Sequence, residues 1–458
     1  MGKKKPKILM LGWEYPPHIS GGLGIATYHL VKSLREFAKV ELVLPDYENS
    51  TRLKISAYSR LELSEPSSST SKIAEKKSES LTKKTDSQSV YGTDLMKSVE
   101  QFTQKATEKA KSTKFDIIHA HDWMTFPAAL EIQKQSKKPL AIHIHSLETD
   151  RSANPSTRNP IYDIEEEAIN KADLVIPVSE ITKSNIEENY TETACEIVAV
   201  YNGGDNFEIV EKSNKKKGRK RKEKRGKKER KKIRTDSNSN KKKRGKKKEE
   251  GENKKQQKQK KSNGKIKSKH KKTKKKNNQK VFNILFVGRI TAQKGVETLI
   301  RTAKRVLESN QNVKFTVVGL GDKLSYIIQL AEEAGIGNSI DFKGKVSRKK
   351  LPKFFKKADL LFMPSVSEPF GLVATEAAQF GLPIVMSNQS GTLEILPGIL
   401  TAEYWDGKTF AKHILMLLQH KKLRKDFGKA NQKAVKKYSW KRNAEKLMEE
   451  YGKLLNRG

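Results

Sequence analysis

Met363-Pro364-Ser365-Val366-Ser367-Glu368-Pro369-Phe370-Gly371-Leu372-Val373-Ala374-Thr375-Glu376-Ala377 is the stretch on which the reading of this 458-residue chain turns. The apolar run ending at Met363 reads as a buried strand, the Pro- and Ser-rich segment carrying Glu368 as a loop, and Phe370-Gly371-Leu372 as the opening of a helix. A strand passing into a helix through a short loop is one unit of a parallel α/β sheet, and its helix N-terminus faces the crevice at the carboxyl ends of the strands. Unpaired amides and the helix dipole favour phosphate there. Carboxylates such as Glu368, and Glu376 about one turn further in, are strong acceptors for sugar and ribose hydroxyls. A glutamate that only complements the helix dipole accounts for Glu376 and leaves the rest of the string unexplained.

Outward from this unit the same rhythm fills the chain. Runs rich in Val, Ile and Leu at Lys7–Leu11, Val40–Leu44, Phe115–Ala120, Leu140–His145, Asp173–Val178 and Ile197–Tyr201 read as strands of a first half. Asn283–Val287, Lys314–Val318, Ile340–Phe342, Asp359–Met363 and Pro383–Met386 read as strands of a second. Amphipathic stretches between them supply crossovers, so the expected fold class is α/β, two Rossmann-like doubly wound domains with parallel sheets covered on both faces. The boundaries are 1–210 for an N-terminal domain, with a flexible or irregular segment at 64–90, and 211–280 for a disordered insertion or linker. A C-terminal domain spans 281–439, and 440–458 forms a last helix. Its Trp440/Leu447/Tyr451/Leu454 stripe suits either ordinary core or packing back across the domain boundary.

The formal charge of +41 is concentrated: residues 211–280 hold 37 Lys+Arg and 7 Asp+Glu, and the remainder carries only +11. With Ile233 and Ile266 as its only aliphatics, that stretch cannot bury enough surface to offset chain entropy. Its charge points either to nonspecific polyanion binding by counterion release or to a solvated insertion, and the lack of aromatic residues for base stacking argues against sequence-specific recognition. A single cysteine, Cys195, excludes an intrachain disulfide and a cysteine-based zinc site. No secretory h-region and no run near the roughly 20 apolar residues of a membrane span are present, so a cytoplasmic location is expected.

Three further constellations carry chemistry. Gly21-Gly22-Leu23-Gly24 lies between the first strand and an amphipathic run, where backbone amides can approach an anion, although a glycine-rich turn needs no ligand. His119, His121 and Asp122, then His143 and His145, stand at two strand ends. Alternation puts each histidine pair on one face, as a metal-ligand set or as satisfied core histidines. Gly288-Arg289 closes a strand and Lys294-Gly295 opens a helix, so two cations can meet one diphosphate, or stand as solvated surface.

Taken together, Glu368 and Glu376 in Ser-Glu-Pro-Phe-Gly-Leu-Val-Ala-Thr-Glu-Ala resemble the signature of the retaining, nucleotide-sugar-dependent group 1 (family 4-like) glycosyltransferases. Trp13-Glu14-Tyr15-Pro16-Pro17 through Gly24, His119-Ala120-His121-Asp122-Trp123 and Tyr201-Asn202-Gly203 are similar to the glycogen and starch synthase-like branch. The resemblance implies a GT-B architecture, with the acceptor mainly on the N-terminal side of a cleft and the nucleotide diphosphate sugar mainly on the C-terminal side. It implies that Arg289 and Lys294 neutralise the diphosphate, that Glu376 holds the ribose and Glu368 the sugar hydroxyls, and that His145 contacts the sugar near the reacting carbon. Gly22, Leu23 and Gly24 would close over the donor, which Phe370, Gly371, Leu372 and Gly391 also bind; His121 and Asp122 fall on the acceptor side. No cofactor and no essential metal are implied. Ser390-Gly391 has one glycine where the family usually shows two, and Ile19-Ser20 replace the Lys-x of the Lys-x-Gly-Gly typical of bacterial glycogen synthases.

The function expected is transfer of a sugar, glucose in the first instance, from a nucleotide diphosphate sugar to a glucan or other glycan. Two other readings stand beside it. One is a polyanion- or nucleic-acid-binding protein on an inactive GT-B scaffold, and the other is a metal-dependent hydrolase built on the histidine strands.

Overall fold

In the computed structural model the first half contributes strands β1 (Lys7–Leu11), β2 (Lys39–Asp46), β3 (Lys54–Tyr58), β4 (Ile117–His121), β5 (Leu140–Ile144), β6 (Leu174–Pro177) and β7 (Glu196–Ile197). They form a seven-stranded sheet of order β3-β2-β1-β4-β5-β6-β7. Between them run α1 (Gly22–Leu34), α2 (Leu95–Lys111), α3 (Phe126–Ser136), α4 (Glu148–Arg151), α5 (Pro160–Lys171) and α6 (Glu180–Asn189). The second half has β8 (Phe282–Val287), β9 (Val313–Val318), β10 (Ile340–Phe342), β11 (Leu360–Met363), β12 (Ile384–Ser387) and β13 (Ile399–Ala402) in the order β10-β9-β8-β11-β12-β13. Its helices are α7 (Val296–Ser309), α8 (Leu324–Glu333), α9 (Leu351–Lys357), α10 (Leu372–Gln379), α11 (Gly407–Gln419), α12 (Lys421–Val435) and α13 (Trp440–Arg457). The structure describes residues 5–46, 54–58, 95–151, 158–190, 195–207 and 280–457; the segment 64–90 and residues 211–279 of the basic run lie outside them.

The inner strands form where expected because they are apolar on both faces, apart from the histidines that β4 and β5 carry on one; β3 was not read as a strand. On the first sheet Leu9, Leu11, Ile118 and Ile142 pack under α2, α3 and α5, while Ile8, Met10, Ile117 and Ala141 pack under α1 and α13. Helix α13 comes from the end of the chain, yet Ala444, Leu447 and Tyr451 are fully buried against the first sheet's face. Asn443 Nδ2 donates to Tyr201 O at 2.7 Å, and Trp440 Nε1 donates to Asn206 Oδ1 at 2.9 Å, fixing the helix to the crossover segment.

Three details differ from the strand-by-strand reading. Among the described residues all pairings are parallel except β2 with β3. The connection between these two is too short for a crossover, which takes a dozen or more residues, so β3 must run back along β2. Edge strand β13 was not expected, and its four half-buried residues lack the fully apolar run that marks the inner strands. Ile197–Tyr201 shrinks to a two-residue ladder, although Val198 N and Val200 N still donate to Val175 O and Pro177 O as the chain leaves the sheet. Among the described residues no helix is long and apolar enough to cross a membrane.

Candidate active site

The turn after β1 is organised from within. Glu14 is fully buried, and its carboxylate accepts from Ser20 N at 3.1 Å, Gly21 N at 3.2 Å and the Ser20 hydroxyl. This folds the glycine run over its own helix, α1, whose first residues are Gly22, Leu23 and Gly24. Gly22 is exposed and points across to the other half, where a Cβ on it would lie 3.5 Å from Leu372 Cδ1. Leu23 is half-buried, and Gly24 packs on Glu14 and Ile19.

In the second half two loops are pressed together. Gly295 has φ +63°, and a Cβ there would sit 1.7 Å from Pro364 O, so no other residue fits between this turn and the loop after β11. That approach delivers Lys294 to Glu368, with Nζ 2.8 Å from Oε2 and both side chains about one-sixth exposed. Ser365 Oγ donates to the same carboxylate oxygen at 3.3 Å. The backbone of Glu368 is pinned too, its N–H donating to Gln389 O at 2.9 Å and its carbonyl accepting from Gly391 N at 3.1 Å. Arg289 is exposed at the end of β8. Phe370 is buried, and Gly371-Leu372 opens α10 as the sequence implied.

Glu376, in the second turn of α10, is buried and bound by Arg348 at 2.8 Å. Burial pushes its carboxyl above the ordinary glutamate range, and the guanidinium works against that shift. Arg348 in turn lies 4.6 Å over the Phe207 ring. The carboxylate expected to hold a ribose is thus already held by a cation.

In the first half the register His121↔His143 places His119, His121 and His143 on one face of the sheet, all fully buried. His145, just beyond β5, is partly exposed, and its Nε2 lies 2.9 Å from His121 Nδ1. Burial pushes His145 down to about 3, so its ring is neutral near pH 7. Asp122 has φ 56° and ψ 166°, a region all but reserved for glycine. It is held there because its N–H donates to His143 O at 3.0 Å and its Oδ1 accepts from His145 N at 2.7 Å. Burial raises Asp122 to about 7, with the bond from His145 opposing. His121 and Asp122 therefore lie behind His145 and position it.

Beside these residues the halves are bonded to one another. Ser179 Oγ donates to Pro369 O at 2.6 Å, and Ser367 Oγ donates to Asp150 Oδ1 at 2.9 Å. The amides of Glu180 and Ile181, at the start of α6, each donate to a Glu394 carboxylate oxygen at 2.9 Å. Gly391 sits at the same seam: a Cβ there would come within 2.3 Å of Pro369 O and 2.6 Å of Ser179 Cβ. The single glycine of Ser390-Gly391 is accounted for by this approach.

Sequence reasoning did not single out Arg348, Asp150 or Ser179, nor the part played by Glu394. Arg348 precedes Lys349-Lys350 and reads as surface charge, while Glu394, three residues after Gly391, carries no local sign of a partner 214 residues away.

Two family models match the chain: the starch synthase catalytic domain over residues 7–197 and the glycosyl transferases group 1 model over residues 266–434. An uncharacterized glycosyltransferase of Methanocaldococcus jannaschii is 28% identical over 404 residues, covering 85% of this chain and 82% of that protein. The glycogen synthase of Mycobacterium tuberculosis is 22% identical over 401 residues, covering 84% and 78%. Among solved structures, sucrose-phosphate synthase from Thermosynechococcus elongatus superposes with a TM-score of 0.68 at 17% identity, covering 99% of this chain and 100% of the other. The catalytic domain of starch synthase IV from Arabidopsis thaliana does so at 0.64 and 15% identity, with the same coverage. The matches to both halves, in the order of the motifs and on a fold of two facing Rossmann-like sheets, make this chain a member of the group 1 nucleotide-sugar glycosyltransferases of GT-B architecture, in their glycogen and starch synthase-like branch.

Proposed function

We propose that the protein transfers glucose from a nucleoside diphosphate glucose to a glucan chain with retention of anomeric configuration, using no bound cofactor and no essential metal in the transfer step. The observation that carries this reading is the convergence of Lys294 on Glu368 in the second half, with Gly22 of the first facing Leu372 across the cleft. A diphosphate leaving group needs fixed positive charge, and preorganised charge is the largest lever such a site has. Lys294 supplies a point charge and exposed Arg289 a planar fork, with the amides opening α10 beside them.

Donor binding exchanges partners. Lys294 turns from Glu368 to the diphosphate, which frees Glu368 to accept from the sugar hydroxyls. Glu376 exchanges Arg348 for the ribose hydroxyls in the same way. His145, neutral and held by Asp122 and His121, hydrogen-bonds the sugar near the reacting carbon without adding charge. The acceptor hydroxyl enters on the face the diphosphate leaves, and its proton passes to a diphosphate oxygen. The contacts joining the halves at Ser179, Glu394 and Asp150 favour a closed cleft, which keeps water from hydrolysing the donor.

The test is thermal stabilisation by UDP-, ADP- and GDP-glucose at matched salt, with Lys294→Ala as control, followed by transfer to glycogen with the preferred donor. A selective shift lost in the variant, together with an α-linked product by NMR, is the expected outcome. No shift and no transfer with any donor would shift the balance to an inactive scaffold serving its basic stretch.

A further inference from the structure

Beneath His145 the first sheet buries three more imidazoles in one place. His119, His121 and His143 are each 0% exposed. Their ring centroids are 4.6 Å (His119 to His121), 5.3 Å (His119 to His143) and 5.2 Å (His121 to His143) apart. Two of their six ring nitrogens are engaged: His119 Nδ1 bonds the Tyr451 hydroxyl of α13, and His121 Nδ1 bonds His145 Nε2 at 2.9 Å. The other four, His119 Nε2, His121 Nε2 and both nitrogens of His143, are buried with no partner. One nitrogen from each ring lies within 4.8 Å of the others. Buried polar atoms in folded proteins are almost always partnered; each neutral imidazole has one lone-pair nitrogen, so the orphans include one lone pair from each ring, and a single lone-pair acceptor would satisfy all three.

We propose that His119 Nε2, His121 Nε2 and one nitrogen of His143 bind a single divalent transition metal of the zinc class, with a water or other small ligand in the fourth position. Tetrahedral zinc held at about 2.1 Å from each nitrogen needs about 3.4 Å between ligand atoms, which small ring rotations reach from the present spacing. An all-imidazole set suits zinc, cobalt, nickel or copper and is unsuited to magnesium or calcium, which take oxygen ligands. For two of the three rings the outer shell is already in place. A ligating histidine ordinarily uses its remaining nitrogen in a hydrogen bond that fixes its tautomer. Here Tyr451 does this for His119 and His145 for His121. The metal ties β4 to β5 and, through Tyr451, to the last helix, and it stiffens the support behind His145. It supplies no chemistry to the transfer step, so the metal-free reading of that step stands independently.

The experiment is elemental analysis of the full-length protein, purified without chelator and desalted, followed by chelator treatment and titration with Co2+. His143→Asn is compared with His413→Asn, which alters a histidine of the second sheet's side, bonded to Thr401 O at 3.0 Å. The expected result is close to one equivalent of zinc-class metal per chain and the intense visible bands of four-coordinate Co2+, both lost in His143→Asn and kept in His413→Asn. Less than a tenth of an equivalent, as isolated and again after incubation with equimolar Zn2+, would overturn the proposal. So would an unchanged stoichiometry in His143→Asn. If that variant does not fold, the Co2+ spectrum of the unaltered protein decides alone: four-coordinate bands support the site, and the spectrum of hydrated Co2+ refutes it.

Discussion

Glu394 offers the sharpest perturbation of cleft closure, because its carboxylate bonds the opposite half. Its two oxygens take the first two amides of α6 at 2.9 Å each, and the Tyr201 hydroxyl also bonds it. A carboxylate on a helix N-terminus contributes about 0.3–1 kcal/mol when exposed and up to about 2 when partly buried. This contact is bidentate but solvent-accessible, so about 1.4 kcal/mol is a reasonable figure, equivalent to about tenfold in the ratio of closed to open forms. Glu394→Ala removes both acceptors and the charge, whereas Glu394→Gln keeps one acceptor oxygen and removes the charge. Steady-state kinetics should therefore show kcat/KM lowered about tenfold in Glu394→Ala and about threefold in Glu394→Gln. Small-angle scattering should show a larger radius of gyration in the same order. The sheets themselves should keep their stability, since the contact lies outside both cores. If both variants stay within twofold of the parent in turnover and scatter identically, Glu394 does not hold the cleft closed and the electrostatic argument for this seam fails.

Lys294→Ala should lower kcat/KM by about 10²–10³, the usual loss for one preorganised charge on a developing anion, with a Tm change of only a few degrees because the ion pair is partly exposed. Asp122→Gly relieves about 1–3 kcal/mol of backbone strain while deleting the acceptor of His145 N, so Tm should hold while activity falls at least tenfold. Asp122→Ala should lose both, and equal Tm values for the two variants would contradict the strain argument. His29 is pushed down to about 3 by burial, with Arg348 and Lys32 adding to the shift, so the unfolded chain takes up a proton that the folded one refuses. Its stabilising contribution is complete above pH 6.5 and is lost as pH falls toward 3. His29→Gln should flatten the slope of stability against pH over that window, as read by urea titration. Trp440→Ala should cost about 3–5 kcal/mol, because the ring is 3% exposed, stacks on His29 and anchors α13 through Asn206.

What was legible in the sequence follows from the range of the interactions involved. Both sheets could be read from local pattern because their inner strands are apolar on both faces, as at Lys7–Leu11 and Leu360–Met363. The loop carrying Glu368 could be placed between β11 and α10 because strand, loop and helix opening follow one another in a single short run. The edge strand β3 was less legible, since its direction depends on the length of a connection and not on its own residues. The partners of distant contacts were hidden, even where the stripe on the last helix left packing back across the boundary open. Glu394 meets α6 across 214 positions, Tyr451 meets His119 across 332, and nothing near Arg348 indicates that it would close on Glu376.

The glycines bring the two ranges together. Gly295 and Gly391 each stand in a motif that sequence reading tied to the donor, yet the atoms that forbid a side chain are Pro364 O in one case and Pro369 O with Ser179 in the other. Neither position requires a ligand to explain its glycine. What each requires is that two loops from separate strands, or from separate halves, approach to backbone contact, and that approach places Lys294 on Glu368 and Glu394 on α6. A motif of this kind records a tertiary approach as much as a binding contact. Gly295→Ala and Gly391→Ala should accordingly weaken donor binding by moving the loops apart, since the atoms their new Cβ would meet belong to the protein, Pro364 O in one case and Pro369 O with Ser179 in the other.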